Sequence, residues 1–133
     1  MLNVAIVGMG RWGQTLINSV SGTSEEIKFI AGTTRTLSKV ASYAEEKSIR
    51  LYETYEEVLS DADVEAVVLA SPHTVHIEQI MAAVAADKHI FCEKPFCLTG
   101  AHACIALDAI SSKGLKVAIG HNRRFSPNAI KLK

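Results

Sequence analysis

The sequence has no excess charge of either sign: fourteen Lys and Arg stand against fourteen Asp and Glu. Such a balance exerts no net pull toward nucleic acid or an anionic membrane. No apolar run approaches the roughly 20 residues that cross a bilayer. The first such run, "VAIVG", ends in glycines and not in a cleavage site, so no signal peptide is expected. The three cysteines, Cys92, Cys97 and Cys104, are odd in number and form no C-x-x-C pair. That usage predicts a reduced, cytoplasmic setting without a disulfide. Repeats, linkers and low-complexity stretches are absent. Acidic residues are absent after Asp108, where Lys113, Lys116, Arg123, Arg124, Lys131 and Lys133 crowd the end. This basic stretch lacks interleaved aromatics and a recognition element, so nucleic-acid binding is not expected.

What is present is apolar and regular. Apolar residues make up 48% of 133, enough to exclude disorder and to fill the core of a single domain. Strand-like runs occur at 2–7, 27–31, 51–52, 66–70, 89–92 and 117–119. Helical spacing occupies 11–20, 37–47, 55–59, 75–86 and 101–112, with Gly114 as a plausible cap. "AVVLA" at 66–70 is apolar throughout, as in a strand covered on both faces. Six strands alternating with helices predict an α/β fold, a doubly wound parallel sheet. The pattern stops after Gly120. Residues 1–120 therefore read as the domain, and 121–133 as the start of a connection to a further one.

The first strand runs into "GMGRWG", residues Gly8, Met9, Gly10, Arg11, Trp12 and Gly13. A G-x-G-x-x-G between a strand and a helix suits a dinucleotide pyrophosphate. Gly8 permits the turn, Gly10 lets the backbone approach the phosphates, and Gly13 lets the helix pack close to the sheet. About 20 residues on, an NAD site usually offers an acid to the ribose hydroxyls. Here stand Thr33, Thr34 and Arg35. A guanidinium pairs with a 2′-phosphate that a carboxylate would repel. NADP is therefore favoured, with NAD possible.

Three more motifs complete a resemblance: "SPHTVH" after the fourth strand, "EKPF" after the fifth and "GHNRRFSP" after the sixth. With the glycine loop they make the whole chain resemble the Gfo/Idh/MocA family, which includes glucose–fructose oxidoreductase and inositol dehydrogenase. The resemblance implies a Rossmann-type NAD(P)-binding domain of an oxidoreductase acting on sugars, polyols and related alcohols or ketones. It implies that Lys94 lies near the nicotinamide and touches the reacting oxygen. Glu93 would help hold the turn, and the bond before Pro95 would be cis. It places Ser71, Pro72, His73 and His76 at the mouth of the cofactor cleft, in cofactor contact or in helix-start packing. His121, Asn122 and Arg124 would approach the nicotinamide and substrate, or else form a basic exposed linker. A metal reading of His73 and His76 lacks a third ligand.

Family members carry a second domain that supplies much of the substrate pocket and the proton-transfer residues. No Asp or His follows His121, so this chain alone is expected not to turn over substrate. A stand-alone dinucleotide-binding or sensing module is the alternative. Phe125 and Ile130 are candidates for an exposed apolar surface, and hence for a homodimer or an ordered tail folded back on itself.

Overall fold

A computed structural model describes residues 1–126 and 130–131. Strands β1 (Leu2–Val7), β2 (Ile27–Thr33), β3 (Arg50–Tyr52), β4 (Ala66–Leu69), β5 (His89–Cys92) and β6 (Val117–Ile119) form one sheet. Its order is β3-β2-β1-β4-β5-β6, and every pairing is parallel. The helices are α1 (Arg11–Val20), α2 (Ala41–Glu46), α3 (Tyr55–Ser60), α4 (His76–Ala85) and α5 (Gly100–Ser112).

The period-two alternation of β1 divides the core. Val4 and Ile6 face a cluster with Ile17 of α1, Ala44 of α2 and Phe29. Ala5 and Val7 face the other cluster, with Val58, Ile80, Ala83, Ala106 and Ile110 of α3 to α5. All four residues of β4 are buried, as the uninterrupted apolar run requires. Burial of each Leu, Ile or Val side chain contributes about 1.5–3 kcal/mol. Short helices are fixed at their starts. Thr54 and Glu57 form a reciprocal capping box on α3, and Thr99 accepts from the His102 N–H at α5.

The helix predicted over 37–47 is broken. Leu37–Lys39 is a 3-10 turn, Val40 has φ −120°, and α2 begins at Ala41. Thr36 and Ser38 favour turns over helix interiors, while Val40 is drawn into the core at 5% exposure. The helix predicted from Val75 is likewise preceded by a 3-10 turn over His73–Val75 and starts at His76. Beyond β6, residues Asn122–Phe125 form a 3-10 turn. Phe125 is 78% exposed and Ile130 is 59% exposed.

Candidate dinucleotide site

The order of strands makes β1 the switch point. Chain connections leave it to β2 on one side and reach β4 on the other, and a crevice opens beyond the carboxyl ends there. Gly8 lies in that crevice. Its N–H donates to the Thr33 carbonyl at 2.9 Å, and the Ala70 N–H donates to the Val7 carbonyl at 2.8 Å. The turn is thus stitched to both neighbouring strands.

Each glycine of the loop answers to a different neighbour. Gly8 has φ +96°, and a Cβ there would lie 2.7 Å from the Ala70 carbonyl oxygen. A Cβ on Gly13 would fall on the Gly8 carbonyl oxygen, so α1 packs directly against the turn. Gly10 has no atom within 4 Å of its would-be Cβ. The space in front of it is open, at the N-terminus of α1. The first helical bond there is Gln14 N–H to the Gly10 carbonyl at 3.0 Å. By helix geometry the N–H groups of Arg11, Trp12 and Gly13 precede that bond and point out of the helix end. No acidic residue occupies the first turn. A phosphate therefore fits this end of the helix on steric and electrostatic grounds.

A cleft of about 560 Å³ opens from this point. It brings together Gly8, Gly10, Thr33, Thr34, Arg35, Ser71 and Pro72 of the residues singled out from the sequence. Thr33 is buried, Thr34 half-buried and Arg35 exposed. Arg11 and Trp12 lie at the helix end, exposed. Met9 does not present its side chain: it is 1% exposed and packs beneath Gly32. Only its backbone is available to a ligand. The reason is local, since the turn that lifts Gly8 and Gly10 outward drives the intervening side chain into the core.

His73 is exposed on its turn, whereas His76 is interior at 1% exposure. Its Nδ1 lies 2.9 Å from the Pro95 carbonyl oxygen and its Nε2 lies 3.0 Å from the Ser71 carbonyl oxygen. Packing at the start of α4 is what its position shows, and no face of the ring is free for direct cofactor contact. Among the described residues no group of three or more His, Cys, Asp or Glu side chains could hold a metal ion.

The EKP turn stands on the crest beyond β5. The peptide bond between Lys94 and Pro95 is cis. Glu93 is half-buried with its carboxylate over Gly120, where a Cβ would meet Oε1 at 2.5 Å. The Gly120 N–H donates to the Cys92 carbonyl at 2.9 Å. Glu93 thus sits over the end of β6. Lys94 is exposed, and among the described residues its ammonium joins no ion pair. Cys92, beneath the turn, is buried, and burial pushes its thiol up to about 12. It stays protonated at neutral pH and is no nucleophile. Asn122 and Arg124 lie exposed on the turn after β6, outside the cleft.

The cleft also holds residues the sequence pattern did not mark: Glu53, Tyr55, Thr74, Val75 and Gln79. Glu53 follows β3, and the rule that ligands sit beyond strand carboxyl ends was the available signal for it. Gln79 had no such signal. It accepts a hydrogen bond from Ser71 Oγ at 2.5 Å, and its carbonyl accepts one from the Tyr55 hydroxyl at 2.9 Å. Burial raises the Tyr55 phenol far above its ordinary value, so it remains a donor.

A family model described as an oxidoreductase family with an NAD-binding Rossmann fold (GFO_IDH_MocA) matches residues 2–121. An uncharacterized oxidoreductase, YrbE, of Bacillus subtilis is 34% identical over 96% of this chain and 38% of its own length. Inositol 2-dehydrogenase of Salmonella typhimurium is 27% identical over 99% of this chain and 40% of its own. Among solved structures, scyllo-inositol dehydrogenase of Lactobacillus casei with bound NAD(H) and scyllo-inositol superposes with a TM-score of 0.90 at 27% identity. That match covers 99% of this chain and 39% of the other. The chain spans about two fifths of the length of these relatives.

Proposed function

The chain belongs to the Gfo/Idh/MocA oxidoreductase family, and from that premise we propose that it is the NADP-binding part of an enzyme that passes a hydride between a nicotinamide and a sugar- or polyol-like alcohol or ketone. The observation that carries the reading is the placement of Arg35 in one cleft with Gly8 and Gly10. The backbone at Gly10 and the start of α1 would hold the pyrophosphate. Thr34 and Arg35 would take the 2′-phosphate, the guanidinium by paired charge-assisted hydrogen bonds. Ser71 and Pro72 would border the nicotinamide half, on the β4 side of the switch point.

When bound, the nicotinamide supplies the site that gives or takes the hydride. Lys94 would donate a hydrogen bond to the reacting oxygen and stabilise the negative charge that grows there. Glu93 would hold Lys94's turn in place. We assign the proton acceptor to a part of the enzyme beyond these 133 residues, with the domain boundary at residue 120 and a cytoplasmic setting. On this assignment the chain alone binds nucleotide but does not turn over a polyol.

Calorimetric titration with NADP and NAD tests the cofactor choice. Arg35→Ala is expected to weaken NADP by about tenfold to a hundredfold, the worth of a charged, bidentate contact, and to leave NAD nearly unchanged. Equal losses for both nucleotides, or none, would remove Arg35 from the 2′-phosphate. Glu53 sharpens the experiment, because its carboxylate shares the cleft and repels any phosphate placed on its side.

The exposed Phe125 and Ile130 lead us to propose self-association of this chain through the surface beyond β6. Sedimentation equilibrium is expected to show a concentration-dependent dimer that Phe125→Glu shifts to monomer. A monomer at every concentration in the parent chain would count against it.

A further inference from the structure

We propose that His76 is a positioning residue that ties the crest after β4, which lines the cleft, to the EKP turn after β5. This inference rests on the dinucleotide reading above for its purpose, though not for its geometry. One crest, residues 71–75, follows β4; the other, residues 93–97, follows β5 and carries Lys94. The two are joined in sequence only through the whole of α4 and β5. In space, one buried ring spans them. His76 Nδ1 is 2.9 Å from the Pro95 carbonyl oxygen, and Nε2 is 3.0 Å from the Ser71 carbonyl oxygen. Carbonyl oxygens accept and cannot donate. A neutral imidazole therefore serves one of the two at a time, and an imidazolium serves both.

A third group touches the same ring. Cys92 Sγ lies 3.4 Å from Nδ1 and 3.3 Å from the Glu93 carbonyl oxygen. Its thiol proton has two acceptors to choose from, so it can donate to Nδ1 when that nitrogen lacks a proton. The ring is enclosed at 1% exposure, where an unmade hydrogen bond carries its full penalty. Water cannot stand in for the imidazole. The clamp is anchored from below: Ser71 Oγ donates to Gln79, one turn along α4, and Phe96 is buried in the core shared with α4. His76 thus sets the distance between the backbone that borders the nicotinamide and the turn that presents Lys94. A role of this kind predicts an effect on one half of the ligand only.

The test uses His76→Phe, which keeps a ring and removes both ring nitrogens, and His76→Gln, which retains a donor near Nε2. Peptide-level hydrogen exchange is read without nucleotide. Both variants are expected to exchange faster by up to about tenfold at 71–75 and at 93–97 together, with β1 and β2 unchanged and Gln milder than Phe. Loosening of one crest alone, of neither, or of the whole sheet in both variants overturns the clamp. Titrations with NADPH and with 2′-phospho-ADP-ribose, which lacks the nicotinamide, then locate its purpose. The variants should lose several-fold in affinity for NADPH and keep that for the fragment; equal losses overturn the placement at the nicotinamide half. Failure of the parent chain to bind either ligand would refute the dinucleotide reading, while the exchange data would still decide the clamp.

Discussion

Gly8→Ala is expected to destabilise the chain by about 2–4 kcal/mol, from backbone strain plus a clash with fixed atoms, and to abolish measurable nucleotide binding. The φ of +96° lies outside the range a side chain tolerates easily. The added Cβ would also meet three backbone atoms, the Ala70 oxygen at 2.7 Å, the Ala70 carbon at 2.8 Å and the Ser71 nitrogen at 2.9 Å. Backbone inside a paired sheet cannot swing aside as a flexible side chain would. Relief requires β1 and the crest after β4 to separate, and that separation is the cleft itself. Two other glycines divide the effect into its parts. Gly22 has φ +75° but open space around its would-be Cβ, so Gly22→Ala should cost roughly 1 kcal/mol of strain and leave binding intact. Gly10→Ala meets no protein atom within 4 Å. It should therefore leave stability near the parent value and still impair binding, because the methyl group enters the space assigned to the phosphates. Denaturant unfolding and calorimetry on the three variants give the comparison. A Gly10→Ala chain that binds NADP like the parent would place the pyrophosphate elsewhere.

The second large effect concerns Lys94. On the proposed reading, Lys94→Met slows hydride transfer by about 10²–10³-fold in the complete enzyme, the usual consequence of losing a donor to a developing oxyanion. Nucleotide affinity should change little, because the ammonium addresses substrate oxygen and not the phosphates. Methionine keeps the length and apolar stem of lysine, so the EKP turn should persist. Lys94 is exposed and joins no ion pair among the described residues, and its replacement strips no partner of its charge. Transient absorbance of the reduced nicotinamide separates the chemical step from binding. A variant that transfers hydride at the parent rate would reduce Lys94 to a surface residue. One that loses nucleotide affinity as severely as rate would make it a cofactor ligand.

The two predictions draw on different depths of the sequence. Gly8, Gly10 and Gly13 were legible because their spacing encodes a local constraint, a strand turning into a helix around an anion. The cis bond at Pro95 came through the resemblance alone, since nothing in the composition of "EKPF" selects that isomer. At His76 the sequence supports both cofactor contact and helix-start packing. A histidine three residues after another at a helix start has no periodic signature to distinguish the two. Met9 belongs to the loop by sequence, yet its side chain fills the space beneath Gly32. Glu53 and Gln79 stand outside the sequence motifs. Glu53 meets Arg35 from another strand's crest, and strand order is not written in strand sequence; Gln79 meets Ser71 across the start of α4.

By itself the sequence determined the alternation of strands and helices, the glycine turn at the end of β1, and the absence of an acid where β2 ends. Each of these follows from residues within a few positions of one another, through side-chain period, glycine's freedom at φ and the charge of a single side chain. Only the tertiary structure decided which crests meet. The order β3-β2-β1-β4-β5-β6 sets Glu53 beside the Arg35 crest and the EKP turn beside Ser71. Burial then turned His76 inward between two carbonyls and closed the Met9 side chain off from the cleft. Those outcomes depend on packing between segments far apart in the chain, where no local pattern of residues carries the information.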